Sequence, residues 1–262
     1  MGWLKITLLA IAGTYLVIVL TLYLGQRAMI YPAPRGPSVV PAGFERAALH
    51  TSDGLELTAA WRPAHRGKPT IVFFHGNGDS LPGAAIATQG LAEAGYGLLL
   101  ADYRGYAGNP GKPTEDGLAM DGRAAIAFVE AHGVAADKVV VMGASLGTGV
   151  ATRLAAEHRP AALVLVSPFT SLPDAGAAAF PWIPVRTLMR DRFDSLRIIG
   201  KIDAPVLVLH ATNDRVIPFA QGEAMARAAR HSKFLRFDRF GHQLQFTAPA
   251  QTAIAAWLER SR

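Results

Sequence analysis

The chain has 262 residues, half of them hydrophobic and 18% charged, with a mean hydropathy of +0.22 and no cysteine. That apolar content excludes a disordered or low-complexity chain. The missing cysteine excludes disulfides, thiolate metal sites and a cysteine nucleophile. The formal charge of +6 comes from scattered, arginine-rich positions without a basic run, which argues against a nucleic-acid partner.

Apolar residues are concentrated at the start. No charged residue occurs from Ile6 to Gln26, and twenty helical residues rise roughly 30 Å, one hydrocarbon core. Trp3 and Tyr23 stand near the two ends, where aromatic rings favour the headgroup level. Residues 1–26 therefore read as a single transmembrane anchor, with 6–25 in the lipid bilayer. A cleavable signal peptide is the rival, but its apolar core is usually shorter. Only a poor cleavage candidate follows here, around Gly25-Gln26-Arg27-Ala28. Thr7, Thr14 and Thr21 either mark a helix-pairing face or bond back to their own helix. Lys5 on one flank and Arg27 and Arg35 on the other leave the charge rule nearly balanced. An uncleaved signal-anchor commonly holds its C-terminal domain outside the cytoplasm, and that is the orientation expected.

Residues 27–44 hold Pro32, Pro34, Pro37 and Pro41 and read as an extended tether. From 45 to 262 strand-like and helix-like segments alternate. Strands are predicted over 47–51, 56–62, 69–74, 97–101, 138–142, 162–166, 205–210 and 234–237. Helices are predicted over 82–94, 117–131, 146–158, 219–230 and 248–260. TIVFF, KVVVM, ALVLV and PVLVLH are almost continuous apolar runs, as in parallel strands covered on both faces. The fold class expected is α/β: a mostly parallel central sheet flanked by helices, with the first two strands as an antiparallel edge. Residues 169–196 break the rhythm and form either a small cap or one helix with irregular flanks.

Four short segments carry chemistry. After TIVFF, His75-Gly76-Asn77-Gly78 forms a glycine-rich loop; no Lys-Ser or Lys-Thr pair and no GxGxxG follows, so a phosphate cradle is disfavoured. Gly143-Ala144-Ser145-Leu146-Gly147 joins an apolar strand to a helical pattern, the context a nucleophile elbow requires. The small residues let the two arms pass closely while the serine hydroxyl stands clear; the alternative is a helix-capping serine. Asp214, in HATNDRVIP, and His242, in FGHQL, each follow a predicted strand at its carboxyl end, where α/β sites assemble. His242 would take the serine proton, and Asp214 would fix its tautomer. Asp238, Asp191 and Asp194 compete for the acid role, and side-chain turn formation is the alternative for Asp214. His210, ending an apolar strand, reads as a core histidine. The Leu146 and Asn77 N–H groups are the candidate oxyanion donors, with His75 a loop support.

FFHGNG, ADYRGYAGNPGKPTEDGLAMDG, GASLG, HATNDRVIP and GHQL together resemble the α/β-hydrolase superfamily, specifically the small membrane-anchored proteins related to Bem46 and to human ABHD13 and ABHD17. The resemblance spans roughly residues 45–262. It implies the α/β-hydrolase fold, Ser145, Asp214 and His242 as triad, and Asn77 and Leu146 as oxyanion donors. It further implies structural roles for Arg104 and Asp121, and serine-hydrolase chemistry without metal or organic cofactor. Carboxylesterases, lipases, protein acyl-thioesterases and peptidases all belong to that group. The function expected is hydrolysis of a carboxylic ester or thioester through an acyl-enzyme, on a lipid, an acylated protein or a smaller alcohol. The alternatives are a serine peptidase or amidase with the same triad, and an anchored non-catalytic binding protein. Phe169, Leu172, Phe180, Trp182, Ile183, Val185 and Leu188 either line an acyl pocket or pack the cap onto the sheet.

Overall fold

The computed structural model describes residues 2–261. A helix, α1 (Gly2–Ile30), is long and apolar enough to cross a membrane, by length and composition, and none of its most apolar window is buried. It runs four residues past the predicted boundary, where Arg27 pairs with Asp191 and Ile30 packs against the core. Thr7 and Thr21 donate back to Trp3 O and Val17 O, at 3.0 and 2.8 Å, the self-bonding alternative. Residues 31–44 lack regular secondary structure yet are not a free spacer. Tyr31 and Ser38 are buried, and Ser38 Oγ donates to Asp102 Oδ2 and Ala107 O, each at 3.0 Å.

The strands are β1 (Glu45–His50), β2 (Glu56–Arg62), β3 (Thr70–Phe74), β4 (Gly97–Ala101), β5 (Val139–Ala144), β6 (Ala162–Val166), β7 (Val206–Ala211) and β8 (Ser232–Phe237). Their order in the sheet is β1-β2-β4-β3-β5-β6-β7-β8; β1 and β2 pair antiparallel, as does β2 with β4, and the rest are parallel. Strands β3 to β7 are buried at every residue, which accounts for their unbroken apolar runs. Two apolar clusters lie on opposite faces of the sheet: Val72, Phe74, Val141 and Leu165 face one, and Ile71, Phe73, Val140 and Val164 the other. This is the α/β-hydrolase fold.

Between β3 and β4 the predicted single helix is two, α2 (Leu81–Ala87) and α3 (Gln89–Glu93). Thr88 breaks it: its backbone leaves helical geometry and its Oγ1 donates back to Ala84 O at 2.8 Å. Helix α4 (Glu115–Ala131) starts on the Thr114 hydroxyl, which accepts from Gly117 N. Helix α5 (Leu146–His158) follows β5 directly. The insertion after β6 holds three short helices, α6 (Leu172–Ala179), α7 (Val185–Leu188) and α8 (Ser195–Ile199). The chain then continues through α9 (Phe219–Ala228) and α10 (Ala248–Arg260).

Candidate active site

Ser145 lies between β5 and α5 with φ 50° and ψ −118°, a left-handed conformation that non-glycine residues rarely adopt. The glycines around it explain how the turn closes. A Cβ on Gly143 would lie 2.5 Å from Gly147 C, and one on Gly147 would lie 2.6 Å from Phe74 C and 2.8 Å from His75 O. Strand, helix and the loop after β3 thus meet backbone to backbone. Gly76 lies beside the serine: a Cβ there would reach Ser145 Cβ at 3.4 Å.

The structure brings the three predicted triad residues together. His242 lies in a 3₁₀ segment, Gly241–Phe246, after a turn in which Phe240 and Gly241 both have positive φ. Its Nε2 is 2.8 Å from Ser145 Oγ and its Nδ1 is 2.8 Å from Asp214 Oδ2. A carboxylate only accepts, so Nδ1 carries the proton and Nε2 faces the hydroxyl as acceptor. Asp214 Oδ1 accepts from the Val216 and Ile217 N–H groups at 2.8 and 3.0 Å. The two loops are tied together as well: Gly241 N donates to Asn213 Oδ1 at 3.0 Å, and Ser167 Oγ to His242 O at 3.3 Å. The competing carboxylates are engaged elsewhere, Asp238 with Arg236, Asp194 with Arg192 and Asp191 with Arg27.

His210 departs from its reading as an ordinary core residue. It is fully buried at the end of β7, but its Nε2 lies 3.2 Å from Asp214 Oδ2 and 3.1 Å from Ile217 O, while its Nδ1 has no partner among the described residues. Both partners of Nε2 accept, so that nitrogen holds the proton. The spacing of four residues from His210 to Asp214 carried the signal, but only the fold shows the contact. Burial by itself would raise the Asp214 carboxyl; the hydrogen bonds from His210, His242 and Ile217 outweigh it and hold the carboxyl well below the usual carboxylate range.

The two candidate oxyanion donors lie on different segments. Leu146 is the first residue of α5, so its N–H has no partner within the helix. Asn77 is exposed and follows Gly76, and its side chain accepts from Tyr106 Oη at 3.5 Å. Under this loop His75 is wholly buried, with Nδ1 2.8 Å from Gly76 O and Nε2 3.2 Å from Asp102 Oδ1. Two acceptors require two protons. Burial opposes the charge, but Asp102 and Gly76 O outweigh it, and the imidazole titrates above its ordinary value. Arg104 joins Asp121 (2.8 Å) to Asp53 (2.7 Å) and closes the turn after β4; burial pushes the Asp121 carboxyl up to about 6. Among the described residues, no group of three or more His, Asp or Glu is arranged to hold a metal ion.

Five of the seven apolar candidates, Leu172, Phe180, Ile183, Val185 and Leu188, line one cavity of about 210 Å³. Its other wall is α1, through Val19, Leu22 and Tyr23, and no triad residue lines it. Phe169 is instead core, edge-on to Phe193, and Trp182 projects outward at 54% exposure. Sequence reasoning missed that α1 is part of this region. Arg27 makes a paired contact to Asp191 at 3.0 and 3.1 Å, and Gln26 Oε1 accepts from Arg190 N at 2.8 Å.

A family model described as serine aminopeptidase, S33, matches residues 65–198, about half of the chain. Ser145 falls inside that match; Asp214 and His242 lie beyond it. Alpha/beta hydrolase domain-containing protein 17B of Homo sapiens is 33% identical over 226 residues, covering 85% of this chain and 76% of that protein. The chain belongs to the α/β-hydrolase superfamily. This α/β-hydrolase is also 40% identical to Uncharacterized protein Rv2307c of Mycobacterium tuberculosis over 227 residues, 82% of the chain and 79% of the relative. Among solved structures, the Pyrococcus furiosus esterase Pf2001 shares its fold with a TM-score of 0.69 at 18% identity, covering 88% of this chain and 98% of that one. The matched family is one of serine hydrolases.

Proposed function

We propose that this α/β-hydrolase is a membrane-anchored serine hydrolase that cleaves carboxylic esters or thioesters of lipid-like acyl groups. The observation that carries the reading is the unbroken hydrogen-bond chain from Asp214 through His242 to Ser145, both links at 2.8 Å. His242 Nε2 removes the hydroxyl proton as Ser145 Oγ attacks the carbonyl carbon, and Asp214 stabilises the imidazolium that forms. The Leu146 and Asn77 N–H groups receive the oxyanion; loss of one such donor typically costs about 2.7–4 kcal/mol of transition-state stabilisation. The His242 proton then leaves with the alcohol or thiol. Water, deprotonated by the same nitrogen, releases the acid and restores the serine hydroxyl.

The acyl preference rests on the apolar cavity, whose two walls are α1 and the segment 172–189. With residues 6–25 in the bilayer, an acyl chain reaches that cavity without crossing water. A glycerolipid and an acylated protein share this chemistry. A peptidase reading draws on the description of the matched family and on the same triad.

The test is a fluorophosphonate probe and a series of p-nitrophenyl esters, acetate to palmitate, on detergent-solubilised protein beside Ser145→Ala. Labelling and ester turnover that vanish in Ser145→Ala, with highest turnover on long chains, are expected. A maximum at acetate or butyrate would remove the lipid-like substrate. Aminoacyl amide cleavage with little ester turnover would select the peptidase. No labelling of folded protein would end the catalytic reading.

A further inference from the structure

The insertion after β6 has an uncharged stretch, Ala175 to Val185, reading AGAAAFPWIPV. Its tip is exposed although apolar: Phe180 is 37% and Trp182 54% accessible. Exposed aromatic residues at one tip need a reason, because water is a poor solvent for them.

The tip lies along α1. Tyr15 Oη donates to Trp182 O at 2.9 Å, and Arg27 pairs with Asp191 at 3.0 Å. From Tyr15 to Arg27 the helix rises about 18 Å, so the stretch between Trp182 and Asp191 follows the helix from its charged end to its middle. Arg190 marks the charged end too, with its guanidinium 4.5 Å from the centre of the Tyr23 ring. If α1 lies in lipid with Arg27 at the headgroups, Tyr15 lies well inside the hydrocarbon, and so does the tip.

The backbone of the tip suits that position. Irregular chain in hydrocarbon is tolerated only where its polar groups find partners within the protein. Pro181 and Pro184 have no N–H to satisfy. Phe180 N donates to Gly176 O at 2.8 Å, Ile183 N to Phe180 O at 3.1 Å and Val185 N to Ile183 O at 2.7 Å. Pro184 O accepts from Thr187 N and Leu188 N, each at 3.1 Å. The Trp182 carbonyl accepts a hydrogen bond from the Tyr15 hydroxyl in the middle of α1.

We propose that residues 175–185 form a lipid-embedded wedge, inserted beside α1 into the leaflet that faces the catalytic domain, with acyl chains of the bilayer covering Phe180 and Trp182. The inference rests on the reading of α1 as a membrane anchor. It adds a second membrane contact made by the catalytic domain itself, fixing how that domain is oriented on the bilayer.

The absence of cysteine makes a direct test available. Three single-cysteine variants of the full chain, Ile11→Cys in α1, Ala179→Cys in the wedge and Asp137→Cys at the opposite edge of the sheet, are labelled with an environment-sensitive fluorophore. Each is reconstituted into phosphatidylcholine–phosphatidylglycerol vesicles with or without acyl-chain nitroxides. The expected result is loss of fluorescence at Ile11 and Ala179 alike on nitroxide addition, with both shielded from iodide, while Asp137 responds only to iodide. Quenching of Ala179 by iodide with Ile11 in lipid would overturn the wedge and leave the anchor standing. Ala179 shielded from both quenchers would mean that protein, such as a second copy, covers it, and would also overturn the wedge. Iodide access at Ile11 would overturn the anchor, and the wedge with it.

Discussion

Substitution of Asp214 by Asn tests the catalytic geometry with the least change in shape. The carboxylate is held on both sides: Oδ1 by two backbone N–H groups, Oδ2 by two imidazoles. An amide has only one accepting end. Turning its NH₂ toward the Val216 and Ile217 N–H groups would set donor against donors, at about 1–3 kcal/mol for the part-buried Ile217 group left unpaired. The oxygen therefore stays on that side, and the NH₂ faces His242 Nδ1. His242 must then accept at Nδ1 and carry its proton on Nε2, where it meets the Ser145 hydroxyl as a donor. No base remains for the first step. The expected loss in kcat is about 10⁴-fold, close to 5.4 kcal/mol, with KM little changed. Steady-state hydrolysis of a p-nitrophenyl ester, read beside a thermal melt that shows the fold intact, measures it. A kcat within tenfold of the parent at unchanged KM would refute the tautomer argument. The same variant has a stability signature. The folded Asp214 carboxyl titrates below its ordinary value of 3.8, so its stabilisation is present above that pH and lost as pH falls through the folded value. The gap in Tm between parent and variant should narrow as pH drops below 3.8.

Gly147→Ala forces a methyl group against the Phe74 backbone and should destabilise the domain by about 1–3 kcal/mol in chemical denaturation, whereas Gly76→Ala, whose methyl group would make ordinary contacts with Ser145 Cβ and Ala144 O, should melt like the parent. His75 titrates above 6.5 in the fold, so its contribution is complete below pH 6.5 and lost as pH rises through the folded value; the Tm advantage of the parent over His75→Gln should shrink on going alkaline. His210→Phe keeps a ring in place but removes one donor from Asp214, and about a tenfold loss in kcat without change in KM is expected. Leu188→Trp narrows the cavity against α1 and should lower turnover of palmitoyl esters while sparing acetate.

The parts of the fold legible in sequence are those where one physical demand acts on consecutive residues. TIVFF, ALVLV and VLVLHA are buried on both faces, and their composition says so. The turn at Ser145 was legible because steric closeness imposes glycine at Gly143 and Gly147. Asp214 and His242 were legible by their positions after strand ends, since parallel strands bring their carboxyl ends to one edge. What escaped depends on contacts across long sequence separations. The four-residue spacing from His210 to Asp214 is local, but only the fold shows that His210 shares Asp214 with His242, and nothing in Gln26 or Arg27 signals a partner near Arg190. The break at Thr88 was missed because a threonine hydroxyl bonding back to Ala84 O is as compatible with an unbroken helix as with a kinked one. Phe169 and Trp182 share the composition of their neighbours and differ only in the direction they face.

The docking of Ser38 bears on how this protein can be cut. A soluble form beginning at β1 would discard the hydroxyl that holds one oxygen of Asp102, whose other oxygen steadies His75 beneath the loop that carries Asn77. Damage would reach the loop next to Ser145 although Ser145, Asp214 and His242 had all been kept. A form beginning at Tyr31 would keep that link but strip away the α1 wall of the cavity, leaving Leu172, Ile183 and Val185 bare to water. Secondary structure would place the severable point in residues 31–44, yet by its contacts the domain begins within the apolar helix, and a form that preserves both must keep α1 from Val19 onward.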